Sequence, residues 1–167
     1  MKDSGLQFIL KLAQTINPQV NTDNLIEIDL NALRQLPAGT LGREVANFLD
    51  QNGFEPLNSG DWIQRTHDVW HVLTGLSPST EDELMLQAFT RAQLFRPSCA
   101  IIVLLGLLSR RCSWRDIFTA LKYGKMAERI VEWDLEADWA TPLDDVRAKL
   151  RIVPLRFQPE LSSVVSS

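Results

Sequence analysis

From Cys99 to Leu108 the chain reads C-A-I-I-V-L-L-G-L-L, ten residues without a charge or an amide side chain. Coiled into a helix, this segment is apolar on every side, and such a helix belongs in the middle of a bundle. It is too short to be a membrane span, which takes roughly 20 helical residues to cross about 30 Å of hydrocarbon. Other segments of the chain must therefore cover it, and their patterning makes that cover helical.

Punctuation and periodicity divide the chain into helices almost throughout. Leu6, Ile9, Leu10, Leu12 and Ile16 mark an amphipathic helix ending at Asn17-Pro18, since the residue before proline avoids the helical region. Leu25 to Leu36 suit one or two short helices, with a strand over Leu25–Leu30 as the weaker alternative. Thr40 is suited to cap a helix running to about Asp50 and closed by Asn52-Gly53. Asp61 opens one helix through residues 62–75, and Ser79 or Thr80 caps the next, to about Phe95. Ser98 caps the apolar helix, and Ser113 caps a helix broken near Gly124. Met126 to Trp133 continues helical, and Pro142 opens a last helix to about Leu150. Residues 151–167, holding Pro154 and Pro159, form an extended or frayed tail. The expectation is an all-α fold: a single-domain helical bundle over residues 1–167 with the apolar helix at its centre.

A net charge of −4 argues against a nucleic-acid partner, which needs a basic face. The two cysteines, Cys99 and Cys112, lack CxxC spacing and support neither a disulfide framework nor a thiolate metal site. A reducing, cytoplasmic compartment is the default. The N-terminal residues show no signal-peptide pattern, so any membrane contact is expected to be peripheral, at the cytoplasmic membrane.

Both histidines of the chain, His67 and His71, stand four residues apart with Asp68 between them. On a helix that spacing stacks two imidazoles on one face, where they can share a metal ion. Projected at about 100° per residue, Trp62, Val69 and Leu73 form an apolar side, and Gln64, His67, Asp68, His71 and Gly75 form a polar one. Gly75 leaves space on that polar side. The alternative is a solvated stripe. Glu83 lies about one turn beyond the next helix start, as His71 lies about one turn before the break, so an antiparallel helical hairpin brings them to similar heights. Thr80-x-x-Glu83 is equally a capping box, which explains the glutamate with no metal.

The pattern His67-Asp68-x-x-His71, eleven residues, then Glu83 resembles the metal-ligand signature of the fourth coenzyme Q biosynthesis protein family. The segment L-P-A-G-T-L-G-R-E-V-A-N-F-L-D-Q-N-G-F-E-P (36–56) resembles that family upstream of the motif, and W-A-T-P-L-D-D-V-R-A-K-L (139–150) resembles its C-terminal end. The resemblance thus covers residues 36–150. It implies an all-helical, peripheral membrane component of a ubiquinone-synthesising complex, working with other quinone-biosynthesis proteins. It also implies replacement of the ring carboxyl at carbon 1 of an isoprenoid-tailed benzoate precursor by hydroxyl. The expected metal set is His67, Asp68, His71 and Glu83, with Asp68 as ligand, second-sphere partner or general base. The resemblance points to zinc; the donor set and the redox chemistry also suit iron. The missing targeting extension points to a bacterial member, and a homodimer is compatible with the family.

Two other classes compete. A non-catalytic prenyl-lipid-binding or scaffold protein keeps an apolar slot, with Gly106 letting an isoprenoid tail approach the backbone and Arg110 and Arg111 meeting lipid phosphates. A His-Asp phosphohydrolase ranks last, because such sites draw on more histidines than the two present.

Overall fold

The computed structural model of the chain describes residues 26–57, 61–94 and 97–156. The helix expected over residues 6–16 and the tail beyond 156 lie outside the described residues. Among these residues there are eight α-helices, two 3₁₀ turns and no strand, only an isolated bridge between Thr40 and Pro142. In chain order the helices are α1 (Leu30–Arg34), α2 (Leu41–Asn52), α3 (Trp62–Arg65), α4 (His67–Thr74), α5 (Thr80–Gln93), α6 (Pro97–Leu108), α7 (Trp114–Met126) and α8 (Leu143–Lys149).

Most boundaries follow local chemistry. The Thr40 hydroxyl accepts from the Arg43 N–H to start α2, and Gly53, at φ +66°, closes it. The Asp61 carboxylate and the Gln64 amide form a reciprocal capping box on α3. Ser79 and Ser113 cap α5 and α7 through the N–H groups of Asp82 and Asp116.

Several boundaries differ from expectation. The single helix over residues 62–75 breaks at Thr66, a buried residue whose hydroxyl donates to the Trp62 carbonyl at 2.8 Å and accepts the Trp70 indole N–H at 3.0 Å. Hydroxyls bonded back to the preceding turn bend helices. The apolar helix starts at Pro97, the first helical position, where a missing N–H costs nothing. Near Gly124 the helix does not break but runs on to Met126: a Cβ there would lie 2.7 Å from the Phe89 carbonyl oxygen, so the glycine serves close packing of α7 on α5. Beyond Met126 the expected helical stretch is only a 3₁₀ turn, Ile130–Glu132, held by the Gln93 amide, which donates to the Gly124 carbonyl and accepts the Ile130 N–H.

α5 is the hub of one half, with α6 and α7 packed on it, while α2 gathers α1, α4 and α8. Leu41, Leu49, Trp70, Leu73, Leu86 and Phe89 are fully buried in the core that joins the halves, with Trp70 edge-on to both Trp62 and Phe89. The apolar helix α6 is not central. It buries one face on α5 and exposes Ile101, Leu104, Leu105 and Leu108, the last at 72%. Apolarity on every side gives a helix no preferred facing direction, so sequence could not tell an edge from a centre. Nor is Gly106 free to admit a lipid tail: the Leu84 side chain fills its notch, 2.5 Å from where a Cβ would stand.

Residues 151–156, expected to be an extended or frayed tail, begin at a left-handed Arg151 and pack on the bundle. Ile152 is buried, and the Leu155 N–H donates to the Thr74 carbonyl at 2.8 Å, against the end of α4.

Candidate metal centre

The polar stripe of α4 faces inward. Asp68 and His71 are buried and His67 is half-buried, which removes the solvated-face alternative. His71 stacks on Phe48 of α2, with ring centroids 5.3 Å apart and planes 18° from parallel. Its Nδ1 lies 3.1 Å from the Leu76 carbonyl oxygen. A carbonyl only accepts, so Nδ1 carries the proton and Nε2 presents a bare lone pair.

That lone pair points at a three-donor cluster. His71 Nε2 lies 3.2 Å from His67 Nε2, and Glu83 Oε2 lies 3.3 Å from His67 Nε2 and 3.2 Å from His71 Nε2. Glu83, one turn beyond the start of α5, reaches both imidazoles. It does not cap its helix. Ser79 and Asp82 form that cap, while the second Glu83 oxygen accepts from the Gln87 amide at 2.8 Å.

The electrostatics hold Glu83 as an anion beside the two imidazoles. Burial alone would raise the Glu83 carboxyl, but the hydrogen bond and charge of His67 and the hydrogen bond from the Gln87 amide outweigh it and hold Glu83 well below the usual carboxylate range. Burial opposes a charged His67, yet the Glu83 hydrogen bond and charge, with Asp68, turn the balance and raise its pKa. Asp68 is raised chiefly by burial, against the pull of the two histidines.

Donor geometry supplies the fit test. Metal–nitrogen bonds of about 2.0–2.1 Å in a tetrahedron put neighbouring donors about 3.3 Å apart, and the three edges here match that value. Three donors on one face leave further positions open, the arrangement of catalytic rather than purely structural sites. Zinc and iron(II) both accept two imidazoles and a carboxylate.

Of the four expected ligands, His67, His71 and Glu83 converge and Asp68 does not join them. Among the described residues no hydrogen bond reaches the Asp68 carboxylate, a buried second acid within electrostatic reach of both histidines. Gly75 leaves no space for a ligand: it ends α4 at φ +71°, and its open side is covered by the Arg156 carbonyl. Phe48, on another helix, and the Leu76 carbonyl, in the turn that ends α4, were not foreseeable as partners, since neither follows the helical period. Gln87, four residues after Glu83 on one helix, was.

Residues 61–156 match the family described as coenzyme Q (ubiquinone) biosynthesis protein Coq4. A mitochondrial ubiquinone biosynthesis protein COQ4 homolog of Nematostella vectensis is 31% identical over 152 residues, 77% of this chain and 73% of that relative. Its Mus musculus counterpart is 30% identical over 78% of this chain, which spans only 57% of the mouse protein. A solved Nostoc punctiforme structure, described as a candidate ubiquinone biosynthesis protein, shares the fold with a TM-score of 0.63 at 21% identity, over 88% of this chain and 81% of that one.

Proposed function

Because the chain belongs to the Coq4 family of coenzyme Q (ubiquinone) biosynthesis proteins, we propose that it holds one divalent metal on His67, His71 and Glu83 and acts on the aromatic head of an isoprenoid-tailed hydroxybenzoate-type precursor. The observation that carries the reading is the donor triangle, whose edges of 3.2–3.3 Å suit a shared cation. Bound there, zinc would polarise a carboxylate and iron would add redox capacity. The proposed reaction replaces the carboxyl at carbon 1 by hydroxyl: water supplies the hydroxyl oxygen, the carboxyl leaves as carbon dioxide, and two electrons and two protons pass to an external electron acceptor. In this reading His71 keeps its Nδ1 proton on Leu76, Gln87 orients Glu83, and Asp68, with a raised proton affinity, serves as general base.

Metal analysis of the purified chain tests the site. The wild type is expected to hold about one metal ion and the His67→Ala/His71→Ala double variant none. Equal metal in both would overturn the reading. Loss of quinone synthesis in the double variant separates a catalyst from a carrier.

A second reading is a non-catalytic prenyl-lipid-binding or scaffold component, favoured by the exposed apolar face of α6 together with Trp114 and Phe118 on α7. Arg110 and Arg111, exposed at the end of α6, suit peripheral contact with an anionic cytoplasmic membrane. Retained quinone synthesis in the metal-free variant, with vesicle binding lost on Leu108→Glu, would support it.

A further inference from the structure

The two helices that carry the ligands belong to different halves of the bundle: α4 packs chiefly on α2, and α5 on α6 and α7. The His71–Glu83 distance of 3.2 Å therefore depends on the joint between them, residues 75–79. A metal site tolerates only about 0.2 Å of error in its bond lengths.

The C-terminal segment braces that joint. On the α4 side, the Arg147 guanidinium donates to the Val72 and Leu73 carbonyls at 2.9 and 3.1 Å, and the Leu155 N–H donates to the Thr74 carbonyl at 2.8 Å. These are the end carbonyls of the ligand helix, which carry its negative pole. On the α5 side, Asp82 is the residue before the ligand Glu83, and its side chain is nearly buried. One Asp82 oxygen accepts from the Ser77 N–H and hydroxyl at 3.0 and 2.6 Å, and the other accepts from Arg156 Nε at 3.0 Å. Arg156 also donates to Glu81 at 2.8 Å. Segment 147–156 thus grips the end of one ligand helix and the start of the other.

We propose that Asp82 and Arg156 are positioning residues for the metal triad: through Ser77 and the first turn of α5 they set Glu83 at ligating distance from His67 and His71. The inference rests on the metal reading of the site.

The test is a cobalt(II) titration of the full chain, followed by visible absorption and by competition with a chelator. Asp82→Asn and Arg156→Gln are expected to weaken cobalt binding about tenfold, as outer-sphere changes do, and to alter the absorption bands of the bound ion. Arg156→Lys, retaining one contact, should recover part of the affinity. Arg34→Gln breaks the exposed ion pair of Arg34 with Asp50, two side chains with no bond to either ligand helix, and should bind cobalt as the wild type does. Wild-type affinity and spectrum in Arg156→Gln would overturn the proposal while leaving the metal site standing. A tenfold loss in Arg34→Gln would also overturn it, because any loss of stability would then suffice. No cobalt uptake by the wild type would overturn the metal reading and this inference together. If Asp82→Asn does not fold, the Arg156 variants carry the test.

Discussion

Substituting alanine at Gly75 separates backbone conformation from tertiary contact, because the chain contains its own control. Gly75 and Gly53 both end helices at nearly the same positive φ, +71° and +66°. A Cβ at Gly53 meets nothing within 4 Å, whereas one at Gly75 would stand 2.6 Å from the Arg156 carbonyl oxygen. The left-handed conformation costs alanine about 1–2 kcal/mol. Reduced freedom of the unfolded chain returns about 0.4–1 kcal/mol. Gly53→Ala should therefore cost about 1 kcal/mol in all. At Gly75 the segment 154–156 must also retreat to reach ordinary contact, loosening the Leu155–Thr74 hydrogen bond. Overpacking and that bond add about 1–3 kcal/mol, for a total of about 2–4 kcal/mol. Urea unfolding at constant slope is the assay. With a slope of about 2 kcal/mol/M, the midpoint should fall by about 0.5 M for Gly53→Ala and about 1–2 M for Gly75→Ala. Equal losses at the two positions would refute the claim that the C-terminal segment is packed on the end of α4.

Leu84→Ala should cost about 2–5 kcal/mol, because the side chain is buried over the Gly106 notch. Gly106→Ala should cost about 1–3 kcal/mol by overpacking, and the double variant less than the sum, since truncating Leu84 vacates the space the new methyl needs. Thermal unfolding of the four proteins measures the coupling, and strict additivity would sink the contact. Trp70→Phe should lose about 1–3 kcal/mol, as the Thr66 hydroxyl at the α3–α4 break loses its indole donor; chemical denaturation reads it. Burial would raise Asp138, but hydrogen bonds from Lys149 and Trp133 and the Lys149 charge hold it below its ordinary 3.8. Its contribution to stability is therefore present above that value and is lost as pH falls through the lower folded pKa. Asp138→Asn should flatten the acid limb of a stability–pH curve, and an unchanged limb would count against the pairing.

Helix content, most caps and the ligand pattern were legible in the chain because they rest on interactions within a few residues. Thr40, Asp61, Ser79 and Ser113 cap where their spacing said they would, and His67 and His71 share a face by helical period alone. Local pattern failed where a residue's partner came from another helix. Gly124 looked like a stop and is a packing contact with α5; Gly106 looked like room for a lipid and is filled by Leu84; Gly75 looked like open space on the polar side and lies under Arg156. A glycine in a sequence announces missing bulk but not what occupies the space.

The same division runs through the site. Sequence by itself determined a helical chain and four candidate donors, since periodicity and residue chemistry are properties of the chain. Tertiary structure decided that Glu83 turns to the histidines rather than to its own helix end, and that Asp68 stands apart as a buried second acid. It also decided which way the apolar helix faces and that residues 147–156 fasten the two ligand helices together. Those outcomes depend on contacts between separate helices and segments, and such contacts exist only once the bundle has closed.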